Sequence, residues 1–309
     1  MSTYLVRRLA LSLFVLWGVL TLSYILTCLA PGDVVETLAG QRTDEAALAR
    51  MRERLGMDKD PVTRYTLYMG NLLQGEWGES SRYREPVWSL LIHRLPRTAL
   101  LAIAALTFAI LTGILFGVLA AVFRGTWIDK ALSSITLFGI SAPVFWIGLL
   151  LIWILSLQFR WLPPSGYEGG DLRYLILPAL TLGLRSVALI TRITRAALVD
   201  IDSSEFLRTA RAKGLAPIAI YGKHALKNAA LPILTVIGLD LGSYLSGSVL
   251  TEKVFGWPGI GMLTVDAIMA RDTALINACV VFMAGIFVLV NLGIDLLYGV
   301  FDPRVRRSS

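Results

Sequence analysis

The sequence predicts an all-α polytopic membrane protein with six transmembrane helices. Three observations carry this reading. First, 55% of the 309 residues are apolar and only 17% are charged, against about 25% charged in soluble domains; mean hydropathy is +0.66. One soluble core cannot hide that excess, so a water-soluble enzyme and a disordered chain are both excluded. Second, six apolar runs are long enough to cross a bilayer, which takes about 20 residues each. Third, Lys and Arg are distributed unevenly between the loops, which sets orientation.

The runs are Leu9–Leu29, Thr98–Phe123, Ala131–Phe159, Tyr174–Thr194, Ala229–Thr251 and Leu275–Val300. Arg7 and Arg8 precede the first, but its apolar stretch exceeds an h-region of about 7–15 residues and Pro31-Gly32-Asp33 is no cleavage site, so it reads as a retained span. With the N-terminus inside, the inner segments hold Arg7, Arg8, Arg124, Lys130, Arg192, Arg195, the basic residues from Arg208 to Lys227, and Arg304, Arg306 and Arg307. The short outer loops hold Arg160, Arg173, Lys253 and Arg271. Both termini are therefore expected in the cytoplasm. The net charge of +7 follows from this bias and does not imply nucleic-acid binding.

Two loops carry structure of their own. In the outer loop (30–97), Thr43 to Gly56 reads as a capped helix with Leu48, Met51 and Leu55 on one face. Asp60-Pro61 opens a second, with Tyr65, Tyr68, Met69 and Leu72 as its apolar face and Gly75 as its stop. Glu85-Pro86 opens a third, through Arg94. Together they predict an extracytoplasmic helical cap. In the basic inner loop (195–228), Glu205 to Lys213 predicts a helix stopped by Gly214, and Pro217 opens another, forming an elbow exposed to the cytoplasm. The expected division is a cytoplasmic N-terminus with the first span (1–29), the cap (30–97), a five-span core (98–300) and a cytoplasmic tail (301–309).

Small residues recur on two helix faces: Gly113, Gly117 and Ala121 in span two, and Gly238, Gly242 and Ser246 in span five. They let helices approach closely. A polar face in span five joins Asp240, Ser243 and Tyr244; span six carries Asn291 and Asp295; Arg185 stands within apolar span four. Charges inside a membrane face a bundle interior or a water-filled path. Arg185, Asp240, Ser243, Tyr244 and Asp295 are thus candidate substrate-pathway residues. Helix depth favours Asp240 over Asp295 as the partner of Arg185, directly or through water.

No phosphate-binding G-x-x-x-x-G-K-[ST] loop is present. Cys28 and Cys279 have no zinc spacing, and His93 and His224 fall on opposite sides of the membrane, so no catalytic set or metal site is suggested. This leaves a channel, an ion-coupled carrier, or one subunit of a machine driven by a partner. A carrier would be expected to have inverted repeats and interrupted helices, and would leave the elbow unexplained.

Several strings, in order, resemble one family. They are Arg7-Arg8-Leu9, Pro31-Gly32-Asp33, Leu55-Gly56-Met57-Asp58, Gly75-Glu76-Trp77-Gly78, Ser141-Ala142-Pro143-Val144-Phe145-Trp146, Trp161-Leu162-Pro163, Leu177-Pro178-Ala179-Leu180-Thr181-Leu182, Arg208-Thr209-Ala210-Arg211-Ala212-Lys213-Gly214, His224-Ala225-Leu226-Lys227-Asn228, Glu252 through Gly261, and Asp302-Pro303-Arg304. The chain is similar to permease subunits of ABC importers in the peptide/nickel branch, the first of the two permeases such systems encode. The resemblance implies a MetI-like architecture in a bacterial inner membrane. It also implies a heterodimer with a homologous second permease, two ATPase subunits that bind ATP and Mg, and an extracytoplasmic substrate-binding protein. This chain itself would carry no cofactor and no chemistry, and would have no nucleic-acid partner. Short peptides are the implied substrates; glutathione-like peptides, nickel and metal chelates belong to the same branch.

The resemblance also assigns the elbow as the ATPase-coupling loop, through Arg208, Ala210, Arg211, Lys213 and Gly214, with the basic side chains available to acidic groups of the partner. The broad importer pattern, E-A-A-x-x-x-G with I-x-L-P nine residues on, is only partly met. Arg208 stands at its Glu position, Ala210 matches one alanine, and Lys227 occupies its proline position, with Pro232 coming later. The R-T-A-R-A-K-G string is instead the peptide branch's own variant. Glu252, Trp257, Pro258, Gly259 and Gly261 are the implied outer-gate loop, next to the binding protein.

Overall fold

The computed structural model describes residues 2–29 and 59–301; the helix predicted from Thr43 to Gly56 lies outside them. Helix α1 (Ser2–Leu29) is followed by α2 (Pro61–Leu73), then by α3 (Val87–Val122). Next come α4 (Trp127–Ser141), α5 (Val144–Gln158) and α6 (Arg173–Asp200). The elbow is α7 (Glu205–Ala212) and α8 (Pro217–Asn228). The chain continues as α9 (Ala230–Leu245), α10 (Val249–Val254), α11 (Ile260–Met269) and α12 (Thr273–Phe301). Four helices are long and apolar enough to cross a membrane, or six if two bent pairs each count as one span.

Asp60 caps α2, accepting from the Thr63 amide at 3.1 Å, with Pro61 at the first helical position. The predicted third cap helix is not separate. Residues 87–94 are the first turns of α3, whose 36 residues run through Pro96 into span two. At 1.5 Å per residue α3 is about 54 Å long, well beyond the ~30 Å hydrocarbon core. Local signals found its start at Pro86, but nothing local breaks it again before the bilayer.

Span three is not one straight helix. α4 and α5 meet at 109°. Pro143 pushes Ala142 into extended backbone (φ −75, ψ 136), which ends α4. The last turns of α5 (Ile152–Gln158) widen to i→i+5 bonding. Span five ends at Leu245, short of the predicted Thr251, because Gly247 takes φ +99 and starts the outer loop. On the other side, α8 and α9 are bent by 70°.

The core forms around α3 and α6. A Cβ on Gly113 would come within 2.8 Å of Ile190, and one on Gly117 within 2.5 Å of Thr194. The span-two small-residue stripe is thus the α3–α6 contact. The span-five stripe packs on α12, where a Cβ on Gly238 would meet Ile294 at 2.6 Å. α1 lies at the periphery along α12, tied by Ser23 to Asn277 at 2.8 Å and by an Arg8–Asp295 ion pair at 2.8 Å. Tyr65 and Tyr68 of α2 pack on Tyr24 near the outer end of α1.

A bidentate ion pair fixes α4 to α6 at the end that carries the elbow. Arg195 Nε and Nη2 donate to Asp129 at 2.6 and 2.8 Å, and the Gly125 amide donates to Asp129 at 2.9 Å. The Arg195 guanidinium in particular holds the Asp129 carboxyl down at about 2, from an ordinary 3.8. A lowered carboxylate stabilises the fold fully above its ordinary value and loses that contribution as pH falls through the lowered one. Arg195→Gln is expected to cost on the order of 2 kcal/mol at neutral pH. The difference from wild type should shrink between about pH 3.8 and 2, as read by thermal unfolding in detergent.

Candidate functional site

Three groups of residues are the candidates, and the structure places each differently.

The elbow is rigid because its inner face is core. Leu207 and Ala210, three residues apart on α7, are buried and pack with Leu198 and Ile220. Ala210 therefore faces inward and is not on the exposed face of the elbow. Helix α7 ends in a Schellman motif: the Gly214 amide donates to the Arg211 carbonyl at 2.9 Å and the Leu215 amide to the Ala210 carbonyl at 3.4 Å. Gly214 takes φ +73, which side-chain-bearing residues disfavour. Arg211 is also committed inside the chain. It bonds the Asp202 carboxylate, which Tyr221 bonds as well, and donates to the Asp202 carbonyl at 3.3 Å. This corrects the expectation that all three basic residues are free for a partner. Phe206, Arg208, Thr209 and Lys213 remain exposed. Phe206, 42% exposed, is an apolar side chain on that face which the charge-based reading missed.

The outer loop is a knot around one buried carboxylate. Glu252 of α10 is 0% exposed. Its Oε1 accepts from Thr98 Oγ1 at 3.0 Å and its Oε2 from the Met262 amide at 3.0 Å, while Thr98 Oγ1 accepts from the Ile260 amide at 2.8 Å. Burial raises the Glu252 carboxyl above its ordinary value, and the Met262 and Thr98 donors oppose the rise. A Cβ on Gly259 would lie 2.4 Å from both Glu252 and Thr98, and one on Gly261 would lie 2.8 Å from the Val249 backbone. Trp257 is buried; its Nε1 donates to the Arg97 carbonyl at 2.9 Å and its ring meets Tyr167 edge-on at 5.1 Å. Pro258 is half-buried. Glu252, Trp257 and Gly259 thus converge on α3 at Arg97 and Thr98, and Gly261 packs against Val249 and Glu252. Sequence reasoning missed Thr98, which lies 154 positions from Glu252 and carries no local signal.

The mid-membrane group is only partly brought together. Asp240 and Tyr244 of α9 both bond Ser186 of α6, and the Tyr244 hydroxyl lies 2.9 Å from the Leu182 carbonyl, to which it donates. Arg185 is next in sequence to Ser186 and is exposed, with its charge still acting on the Asp240 carboxylate. No Arg185–Asp240 ion pair exists among the described residues: the serine hydroxyl takes the carboxylate. Ser243 is exposed on the same helix. Asp295 belongs to another contact, the ion pair with Arg8 that ties α1 to α12. Among the described residues no three His, Cys, Asp or Glu side chains converge to hold a metal ion.

Comparisons with known proteins agree along the whole chain. Residues 113–307 match the binding-protein-dependent transport system inner membrane component, and residues 1–104 match the N-terminal part of such membrane components. The chain is 40% identical to the di/tripeptide transport system permease protein DppB of Pseudomonas aeruginosa, covering 100% of both chains. It is 37% identical to the glutathione transport system permease protein GsiC of Escherichia coli, covering 99% of each. In fold it is similar to the inward-facing MetNI methionine ABC transporter, with a TM-score of 0.60 at 20% identity over 71% of this chain and 99% of that one. The elbow, the bent spans and the match from end to end lead to one assignment: the chain belongs to the family of membrane-embedded permease components of binding-protein-dependent ABC transporters.

Proposed function

We propose that this chain is one permease subunit of an ATP-driven importer for short peptides in the cytoplasmic membrane, with both termini in the cytoplasm. The observation that carries the reading is full-length similarity to a di/tripeptide permease at 40% identity, joined to an elbow whose exposed face is held rigid from within. A second, homologous permease completes the path, and an extracytoplasmic binding protein delivers the peptide. Two ATPase subunits bind ATP and Mg and dock on Phe206, Arg208, Thr209 and Lys213. When they close, the rigid elbow transfers the movement to α6 and α9 through Leu207 and the Asp202–Arg211–Tyr221 contacts. The outer knot then moves as one body with α10 and α11, and the path opens outward. Arg185, Asp240, Ser243 and Tyr244 border that path; the chain itself performs no catalysis.

Uptake by cells lacking the gene, with and without its restoration, tests the substrate class. Labelled di- and tripeptides are expected to accumulate only with the chain restored, as is glutathione if the specificity follows the second relative. Restored nickel or metal-chelate uptake with unchanged peptide uptake would overturn the peptide reading in favour of the other substrates of the branch. Uptake that persists without ATP would point to an ion-coupled carrier.

A further inference from the structure

A cavity of about 340 Å³ lies between the inner ends of α3, α4 and α6, away from the mid-membrane polar group. Its polar lining is Ser133, Thr136, Thr191, Arg192 and Arg195. Most of this wall donates hydrogen bonds. Thr136 is satisfied by the Ser133 carbonyl at 2.8 Å. Arg195 is neutralised by Asp129, to which Ser133 also turns, at 3.5 Å. Two groups remain. The Thr191 hydroxyl is buried without a hydrogen-bond partner among the described residues. Arg192 is exposed and forms no ion pair among the described residues. A buried hydroxyl left unpaired costs about 1–3 kcal/mol, and this one adjoins an unneutralised guanidinium on the same wall, so the two together suit a hydrogen-bond acceptor that is negatively charged.

The rest of the cavity is apolar, with Leu137 and Ile140 in its wall. That surface continues outward along α4, whose Ile135, Leu137 and Phe138 are 60%, 63% and 59% exposed. Arg192 and Arg195 stand within about 12 Å of the end of α6, on the elbow side, where exposed Arg124 and Lys130 also lie. An anionic donor-seeking group, joined to an apolar chain and located at the boundary of the membrane, has the chemistry of a phospholipid. A peptide fits less well, because its ammonium group would find no free carboxylate here.

We propose that this cavity binds the phosphate headgroup of an anionic phospholipid of the leaflet on the elbow side, through Arg192 and Thr191, with the acyl chains along α4. The site is independent of which substrate crosses the membrane.

The test uses the full chain in nanodiscs containing phosphatidylglycerol and phosphatidylcholine, followed by native mass spectrometry of the lipid it retains. Phosphatidylglycerol is expected to be retained in preference to phosphatidylcholine. The double change Arg192→Gln with Thr191→Val should reduce that retention about fivefold or more, while Arg192→Lys and a control at the opposite end, Arg160→Gln, should keep it. A phosphatidylglycerol analogue with a photoreactive headgroup should label peptides containing residues 133–140 or 191–196 in the unaltered chain, a readout that needs no variant to fold. Equal retention of the two lipids, labelling confined to other segments, or retention unchanged in the double variant overturns the proposal. So does displacement of the lipid by millimolar inorganic phosphate, which would assign the cavity to a free anion.

Discussion

A Gly214→Pro protein is expected to reach the membrane in normal amount and to lose nearly all substrate-stimulated ATP hydrolysis by the assembled transporter. Proline fixes φ near −65°, and residue 214 sits at +73. The substitution also removes the amide that bonds the Arg211 carbonyl at 2.9 Å. The cost, about 3 kcal/mol or more, falls on the end of α7, where a Cβ on residue 214 would meet nothing within 4 Å. The spans stay intact while the elbow loses its shape. Gly214→Ala should be milder, about 1–2 kcal/mol for a left-handed alanine, with hydrolysis partly retained. Hydrolysis and uptake at wild-type level in the proline variant would remove the elbow from the coupling path. Lys213→Asp and Arg208→Asp separate contact from shape: they leave φ alone, and since exposed ion pairs contribute about 0–1 kcal/mol each, their effects should be small and additive. Arg211→Ala should behave more like a shape change, because it breaks the link to Asp202 and Tyr221.

Glu252→Ala is expected to destabilise the outer loop by about 2–6 kcal/mol, from about 1–3 for each of two stranded donors, and to abolish uptake. It strands the Thr98 hydroxyl and the Met262 amide in a site from which water is excluded. Glu252→Gln should be milder, since its carbonyl can accept from the Met262 amide while its amide nitrogen donates to the Thr98 hydroxyl, which can turn to accept. Gly259→Ala should reproduce the defect with the carboxylate still present, because the added methyl would press on Glu252 and Thr98 at 2.4 Å. The pH sense follows from burial. A carboxyl raised in the fold favours its protonated form there, so its contribution is greatest below the ordinary value for glutamate and declines as pH rises through the raised one. Protease sensitivity of the 246–261 segment in vesicles, with thermal unfolding, reads both effects. Wild-type stability and uptake in Gly259→Ala would show that the knot can relax, and would separate it from the gate.

Much of this molecule was legible because membrane sequences are written in strong local signals. Twenty-residue apolar runs, Asp60-Pro61 at the start of α2, Gly214 at the end of α7 and Pro217 at the start of α8 each act within a few residues, so spacing alone places them. The small-residue stripes of spans two and five likewise announced close packing, though not against which helices. The sequence by itself therefore determined the class, the six apolar crossings, the elbow and, through its ordered strings, the family. Tertiary structure decided where those signals yield to packing and which charges meet. The 109° bend at Pro143 divides an apolar run that hydropathy reads as continuous, because hydropathy measures transfer into lipid and not direction. Asp240 takes its direct hydrogen bond from Ser186 and not from Arg185, Asp295 pairs with Arg8, Arg211 with Asp202, and Asp129 with Arg195. Depth along a helix limits which partners are within reach. Rotation about the helix axis and the identity of the neighbouring helix choose among them, and both are set by packing between segments far apart in the chain.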